Sequence, residues 1–396
     1  MLSLSEARAA ILARIRLGTL TEAVPLLAAA GRYVAAPLRA QVDNPAFDNS
    51  AMDGYALAQA DVVAQAGSLL LVGESRCGHA PSPLAPGTAM RIFTGAPLPA
   101  GADTVVMQEE ATPVGDRIRF PAELRLGAQV RRRAEDFRTG DTLYTPGQRL
   151  TPADVSLLAA AGVAMPAVRG RPRVLVVATG DELVASGLPL APGQIYESNR
   201  IATLLQLQAL GAEAVDGGTV RDTVPALQAV LAQSQDYDFV ITSGGASVGD
   251  HDLVKQVFAD IGDIEFWRVK IKPGKPVAFG RIGARSHFFA LPGNPVSSFI
   301  TFKLFVEPAL YAWHGGQMPH WQLPAVVINT FTRQSGRLEF LRARLWSEGH
   351  ALRAECLAGQ GSHMIGTLRH TNGLIVIDED STGFTAGDNV TVMPLF

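Results

Sequence analysis

Residues 240–252 read VITSGGASVGDHD and gather the glycines Gly244, Gly245 and Gly249, the hydroxyls of Thr242, Ser243 and Ser247, and the carboxylates of Asp250 and Asp252. Glycines let backbone N–H groups approach an anion, and a helix start after the loop adds partial positive charge. Carboxylates in such a loop repel a bare phosphate, so the combination makes chemical sense when a divalent cation bridges acid and ligand. The bland alternative is a glycine-rich turn with solvated aspartates. Two further acids, Glu182 and Asp222, follow apolar runs elsewhere in the chain. Opposite charge comes from RVKIKPGKP, where Arg268, Lys270 and Lys272 alternate as on one face of a strand and Lys275 follows in the turn. FFALPGNPVSS adds a turn holding Asn294 and a helix start offering Ser297 and Ser298. Carboxylates, cations and a helix N-terminus in one crevice suit an anionic, phosphate-bearing substrate with Mg²⁺ bridging. Neither GxxxxGK[ST] nor GxGxxG occurs, so ordinary nucleotide-binding folds are not supported.

Those residues need a sheet to bring them together. RVLVVAT at residues 173–179 is a continuous apolar strand, followed by a helical pattern over 198–210, a short strand ending at Val220, a second helix over 224–233 and the strand before the glycine loop. This alternation predicts a parallel sheet with helices on both faces, with ligands outside the carboxyl ends of its strands. Glu182, Asp222, Asp250 and Asp252 should therefore converge at one edge.

The remaining chain brackets that sheet. Ser3 with Glu6 is a capping box for a helix carrying Ile11, Leu12 and Ile15, and Thr19 with Glu22 predicts a second helix stopping near Gly31. DNPAFDNSAMDGYA at residues 43–56 reads as an ordered loop that buries Phe47, Met52 and Tyr55 and presents Asp48, Asn49 and Asp53. Its competing reading is a set of Asx turns serving their own backbone. Short strands and frequent Gly/Pro turns between Leu57 and Tyr144 predict a small β domain. Arg131, Arg132 and Arg133 run into Glu135 and Asp136, either a solvated charged turn or a clamp for an anion. Thr151-Pro152-Ala153-Asp154 starts a helix that Gly162 ends, so a helical region is split by the β insertion. From Pro324 the pattern returns to short strands, a small β domain or barrel in which His363 reads as a solvated loop residue.

Composition narrows the classes. With 396 residues, 47% hydrophobic and 18% charged, the chain is globular and multidomain. A net charge of −3 supplies no basic field for nucleic acid or an anionic membrane. Cys77 and Cys356 are the only cysteines, too few for a disulfide framework. No apolar run is long enough to span a bilayer and the N-terminal pattern is not that of a signal peptide, so a cytoplasmic location is expected.

FDNSAMDGYA, TGAPLPAGAD, RRRAED, TGDEL, YESNR, TSGGASVGD, KPGKP and LPGNPVSS occur in this order. With them the chain resembles the molybdopterin molybdenumtransferases, a family similar to the E domain of gephyrin. The resemblance implies a multidomain α/β plus β fold: a split helical region (1–45 and 140–170), an inserted β domain (46–139), a molybdopterin-binding α/β domain with a parallel-rich sheet (171–318) and a C-terminal β-barrel (319–396). It also implies a homodimer whose cleft joins the α/β domain of one subunit to the inserted domain of the other. The implied reaction inserts molybdate into adenylylated molybdopterin and releases AMP, with Mg²⁺. Asp53, Asp136 and Glu182 match its catalytic acids, and Asp222 and Asp252 are the implied Mg²⁺ ligands. Ser243, Gly244, Gly245, Ser247 and Asn294 fall in its substrate loops. Lys272, Lys275, Ser297, Arg342 and Ser362 match polar residues around molybdate and the terminal phosphate. Arg268 stands where relatives can carry lysine, which alters the hydrogen-bond geometry available there. Other molybdenum cofactor biosynthesis proteins are among the partners the resemblance admits. Two rival readings are a pterin adenylyltransferase, which leaves the β domains unexplained, and a non-catalytic scaffold, which leaves the retained acids unexplained.

Overall fold

Apolar continuity over 173–179 places a strand at the heart of a six-stranded sheet, ordered Glu213–Val220, Arg173–Thr179, Phe239–Ser243, Ser286–Leu291, Pro276–Ile282 and Gly262–Arg268. These are features of a computed structural model, which describes residues 1–244, 257, 262–319 and 322–395. The first four strands are parallel, Pro276–Ile282 runs antiparallel to them, and Gly262–Arg268 pairs antiparallel with Pro276–Ile282. Side chains alternate between two cores, as a two-residue period requires. Val174, Val176, Phe239 and Ile241 join Leu207 of the Asn199–Ala209 helix on one face, while Leu175, Val177 and Val240 join Leu227 and Leu231 of the Val224–Leu231 helix on the other. Phe279, Phe288 and Phe289 are fully buried, and truncating any one to alanine would cost about 3–5 kcal/mol.

The capping box at Ser3 forms: the Ser3 N–H donates to Glu6 Oε2 at 2.7 Å and the Glu6 N–H to Ser3 Oγ at 3.2 Å. Its helix, Leu4–Arg14, buries Ala7 and Ile11 in the core of the α/β sheet. The helix expected from Thr19 to Gly31 does not form. Thr21–Ala23 pairs antiparallel with Ala167–Arg169, and only a 3₁₀ turn, Leu26–Ala28, follows. Pro25 would sit inside the expected helix without an N–H, and Val24 and Ala29 instead enter a core with Leu150, Leu158 and Val168. The Pro152–Ala160 helix is capped by Thr151 as its sequence predicts, with the Thr151 N–H donating to Asp154 Oδ2 at 2.6 Å.

Between these pieces lies a six-stranded sheet, ordered Thr104–Met107, Gly54–Leu57, Thr88–Ile92, Ser68–Ser75, Arg117–Arg119 and Thr112–Val114. A Cβ at Gly54 would lie 2.0 Å from the Val106 carbonyl oxygen, so this close strand contact needs glycine. Of the apolar residues expected to bury in the preceding loop, Tyr55 does so at 9% exposure, but Phe47 and Met52 remain 46% and 40% exposed. Asn49, expected to be presented, is instead 7% exposed because its strand, Asn49–Ser50, pairs with Val130–Arg131.

The C-terminal strands close on themselves. Leu338–Glu348 pairs with Ala351–Cys356 and with Gly373–Ile377, and Leu323–Val327 and Asn389–Pro394 complete the ring. RVKIKPGKP is not one strand: it leaves the α/β sheet at Arg268, and Ile271–Lys272 pairs in parallel with Leu338 and Glu339 of the barrel. Burial still alternates, with Val269 and Ile271 inside and Arg268, Lys270 and Lys272 outside. No helix of the described residues is long and apolar enough to cross a membrane.

Candidate active site

A cavity of about 1130 Å³ opens at the carboxyl ends of the parallel strands, where the α/β domain meets the barrel. Thr179 ends and Glu182 follows the Arg173–Thr179 strand, Asp222 follows Glu213–Val220, Ser243 ends and Gly244 follows Phe239–Ser243, and all of them line it. Gly244 has φ +94°, and a Cβ there would lie 2.4 Å from the Thr179 carbonyl oxygen, so the chain can turn out of the strand only as glycine. Ser243 Oγ is buried and has no hydrogen-bond partner among the described residues, an uncommon state that a ligand would relieve.

Cations line the same cavity. Lys272 and Lys275 line the cavity from a turn that Gly274, at φ +105°, presses against Thr301. Asn294 and Ser297 line it at the start of the Pro295–Thr301 helix, and the Asn199 side chain holds the preceding turn through the Gly293 carbonyl at 2.7 Å. The barrel contributes Ser362, whose carbonyl accepts from the Val296 N–H at 3.1 Å and ties the barrel loop to that helix start.

The acids repel one another. Partial burial, followed by the neighbouring charges of Glu182 and Asp181, raises the Asp222 pKa above the ordinary carboxylate value although its side chain is exposed. A hard divalent cation would relieve that repulsion, and carboxylate oxygens are the donors it prefers. Among the described residues no three His, Cys, Asp or Glu side chains are close enough to form a complete metal cage. Asp250 and Asp252 lie outside the described residues, as do Gly245 and Ser247.

Several predicted site residues sit elsewhere. Asp53 is exposed on the inserted domain and does not line the cavity; its Oδ1 accepts from the Thr94 N–H at 2.7 Å and the Thr94 hydroxyl at 2.8 Å, which lowers its pKa. Asp136 also lies off the cavity and accepts from Asn44 Nδ2 at 2.9 Å. Arg342 is 1% exposed and does not reach the lining: its Nη2 donates to the carbonyls of Gly359 at 2.6 Å and Gly361 at 3.1 Å, bracing the loop that carries Ser362. Arg268 and Lys270 are likewise off the cavity, with Lys270 3.8 Å from Glu379. Two residues of the arginine run are held by acids: Arg132 pairs with Asp48 at 2.8 Å and Arg133 with Asp43 at 2.5 Å.

Sequence reasoning missed Arg337, Glu339 and Gln360 on the barrel wall. Only Glu339 carried a signal, an acid placed between Leu338 and Phe340 in an otherwise apolar strand start. His363 also lines the cavity, and it is exposed as expected.

Three consecutive regions match one set of families: residues 2–162 the MoeA N-terminal region (domain I and II), 175–312 a probable molybdopterin binding domain and 324–395 the MoeA C-terminal region (domain IV). The chain is 37% identical to the molybdopterin molybdenumtransferase of Haemophilus influenzae, over 100% of its own length and 98% of the relative's. It belongs to the molybdopterin molybdenumtransferase family. The molybdopterin molybdenumtransferase of Nostoc sp. is 37% identical, over 95% of this chain and 89% of the relative. A crystal structure of the molybdopterin biosynthesis moeA protein of Pyrococcus horikoshii has 28% identity and a TM-score of 0.85, covering 100% of both chains. The cavity joins two of the matched regions. Glu182, Asp222, Lys272 and Lys275 come from the probable molybdopterin binding domain, while Arg337, Glu339 and Ser362 come from the C-terminal region.

Proposed function

We propose that this protein inserts molybdate into adenylylated molybdopterin in the cytoplasm and releases AMP, forming molybdenum cofactor. The single observation that carries the reading is one cavity lined both by the carboxylates of Glu182 and Asp222 and by the lysines Lys272 and Lys275. Such a site meets the two demands of the reaction, because the phosphoanhydride needs its charge bridged and molybdate needs cations. Mg²⁺, held by Asp222 and Asp252, would neutralise charge between the acids and the phosphoanhydride. Ser243, Gly244, Gly245, Ser247 and Asn294 bind the pterin phosphate through hydroxyl, amide and backbone groups. Lys272, Lys275, Ser297 and Ser362 hold the oxyanion while the two dithiolene sulfurs bind molybdenum and an oxo group leaves as water with the two thiol protons, and Arg342 serves through the loop it braces. Glu182 acts from within the cavity. Asp53 and Asp136 act in a cleft completed by a second copy of the chain, a reading supported by their distance from the cavity of their own subunit.

The experiment is AMP release from adenylylated molybdopterin by the purified protein, with and without molybdate. Release that requires molybdate is expected. Release independent of molybdate, or none under any condition, overturns the reading, and net adenylylation of molybdopterin would favour the adenylyltransferase alternative.

Lys275 gives a sharper check. It is exposed, it lines the cavity, and no ion pair holds it among the described residues. Lys275→Ala is expected to raise the molybdate concentration for half-maximal activity by about ten- to a hundredfold, the loss of one charge-assisted contact, with thermal unfolding unchanged. An unshifted molybdate titration would remove Lys275 from the oxyanion site.

A further inference from the structure

Glu339 is 2% exposed at the start of a barrel strand, yet it is ionisable and lies between two cations. Its Oε1 is 2.8 Å from Lys272 Nζ and its Oε2 is 3.1 Å from Arg333 Nη1. Backbone register explains the first contact: Lys272 and Glu339 are partners in the parallel pairing that joins the α/β domain to the barrel, so their side chains leave the same face side by side. Arg333 explains why the carboxylate cannot swing away. Its Nη1 also donates to the Arg337 carbonyl at 2.6 Å and its Nε to the Ser381 carbonyl at 3.0 Å, which fixes the guanidinium in the barrel. Lys272 and Glu339 line both the main cavity and an adjoining hollow of about 380 Å³, so the pair forms part of the wall between them.

We infer that Glu339 is a positioning residue for molybdate binding, acting through Lys272. A lysine ammonium on a four-carbon stem has many rotamers, and Lys272, with its side chain 47% exposed, has little packing to choose among them. The buried carboxylate selects one, holding the ammonium at the cavity wall with two of its three N–H donors left for an oxyanion. The inference rests on the oxyanion role proposed for Lys272.

Its test compares the parent with Glu339→Gln, which keeps the shape and removes the charge. Three quantities are measured: the rate at which Lys272 is acetylated, read by mass spectrometry, the molybdate concentration for half-maximal AMP release, and the same concentration in a Lys272→Ala background. Faster acetylation of Lys272 and a roughly tenfold rise in half-saturating molybdate are expected, and the second effect should vanish once Lys272 is alanine. Since a buried acid between two cations also supports folding, Glu339→Asp is measured in parallel, retaining the charge but withdrawing it by one methylene. There, faster acetylation at an unchanged melting temperature is expected. Unchanged acetylation in the folded variants overturns the inference and leaves the proposed function standing. A molybdate shift of equal size in the Lys272→Ala background also overturns it, because Glu339 would then act by another route. Faster acetylation with an unshifted molybdate curve overturns the oxyanion role of Lys272, and this inference with it.

Discussion

Asp222→Asn is expected to lower Mg²⁺-dependent AMP release by about a hundredfold or more while leaving the fold at least as stable as the parent. The first half follows from the loss of a charged oxygen donor to a divalent cation at the point where phosphate charge must be bridged. The second half follows from the direction of the Asp222 pKa, which is raised in the folded chain by partial burial and by Glu182 and Asp181. At acid pH, below the ordinary carboxylate value, the group is protonated in both states and contributes nothing. As pH rises through that value the unfolded chain ionises first, so the native state loses stability until pH passes the folded pKa. Asparagine carries no such penalty at neutral pH. Melting temperatures from about pH 3 to 8 should therefore converge at the acid end, with the variant equal or higher at the neutral end. A variant that melts lower at neutral pH in step with its lost activity would make Asp222 a structural residue, and an unchanged Mg²⁺ dependence would remove it from the metal site.

The second large effect is a recovery of activity. Asp53 is exposed on the inserted domain and is held by Thr94, while Asp222 lines the cavity. If each cleft takes one residue from each of two chains, Asp53→Ala and Asp222→Ala homodimers are both inactive. In a mixed dimer one cleft carries both substitutions and the other carries neither. After full exchange of an equal mixture, half of the dimers are mixed and each has one intact cleft, so about a quarter of the parent activity should return. Subunit exchange is confirmed by native mass spectrometry of differently tagged chains. Exchange without recovery would mean that each cleft is built within one chain.

The parts of this site that could be read from sequence depend on local pattern. A continuous apolar run specifies a strand buried on both faces, so the strand ends carrying Glu182, Asp222 and Ser243 followed from 173–179 and its successors. Ser3 with Glu6 and Thr151 with Asp154 were readable because a capping box is closed within one turn of chain. The same signal failed at Thr19, where strand pairing with 167–169 and the apolar demand of Val24 and Ala29 outweigh a cap. Long-range pairings were not legible. Nothing local says that Lys272 leaves one sheet for another and meets Glu339, or that Arg132 and Arg133 meet Asp48 and Asp43. Arg342 shows the same limit in another form, since an arginine in a strand can serve a ligand or a loop, and only its carbonyl partners reveal the loop.

The proposed reaction requires molybdate to be held in the cavity by the lysines that line it. Anomalous diffraction at the molybdenum edge, from crystals soaked in molybdate, locates the metal without reference to any assay. A molybdenum peak is expected within contact distance of Lys275 and the hydroxyls of Ser297 and Ser362, and it should be lost in Lys275→Ala crystals soaked at the same concentration. A peak outside the cavity, in crystals of protein that releases AMP in a molybdate-dependent manner, would contradict that requirement.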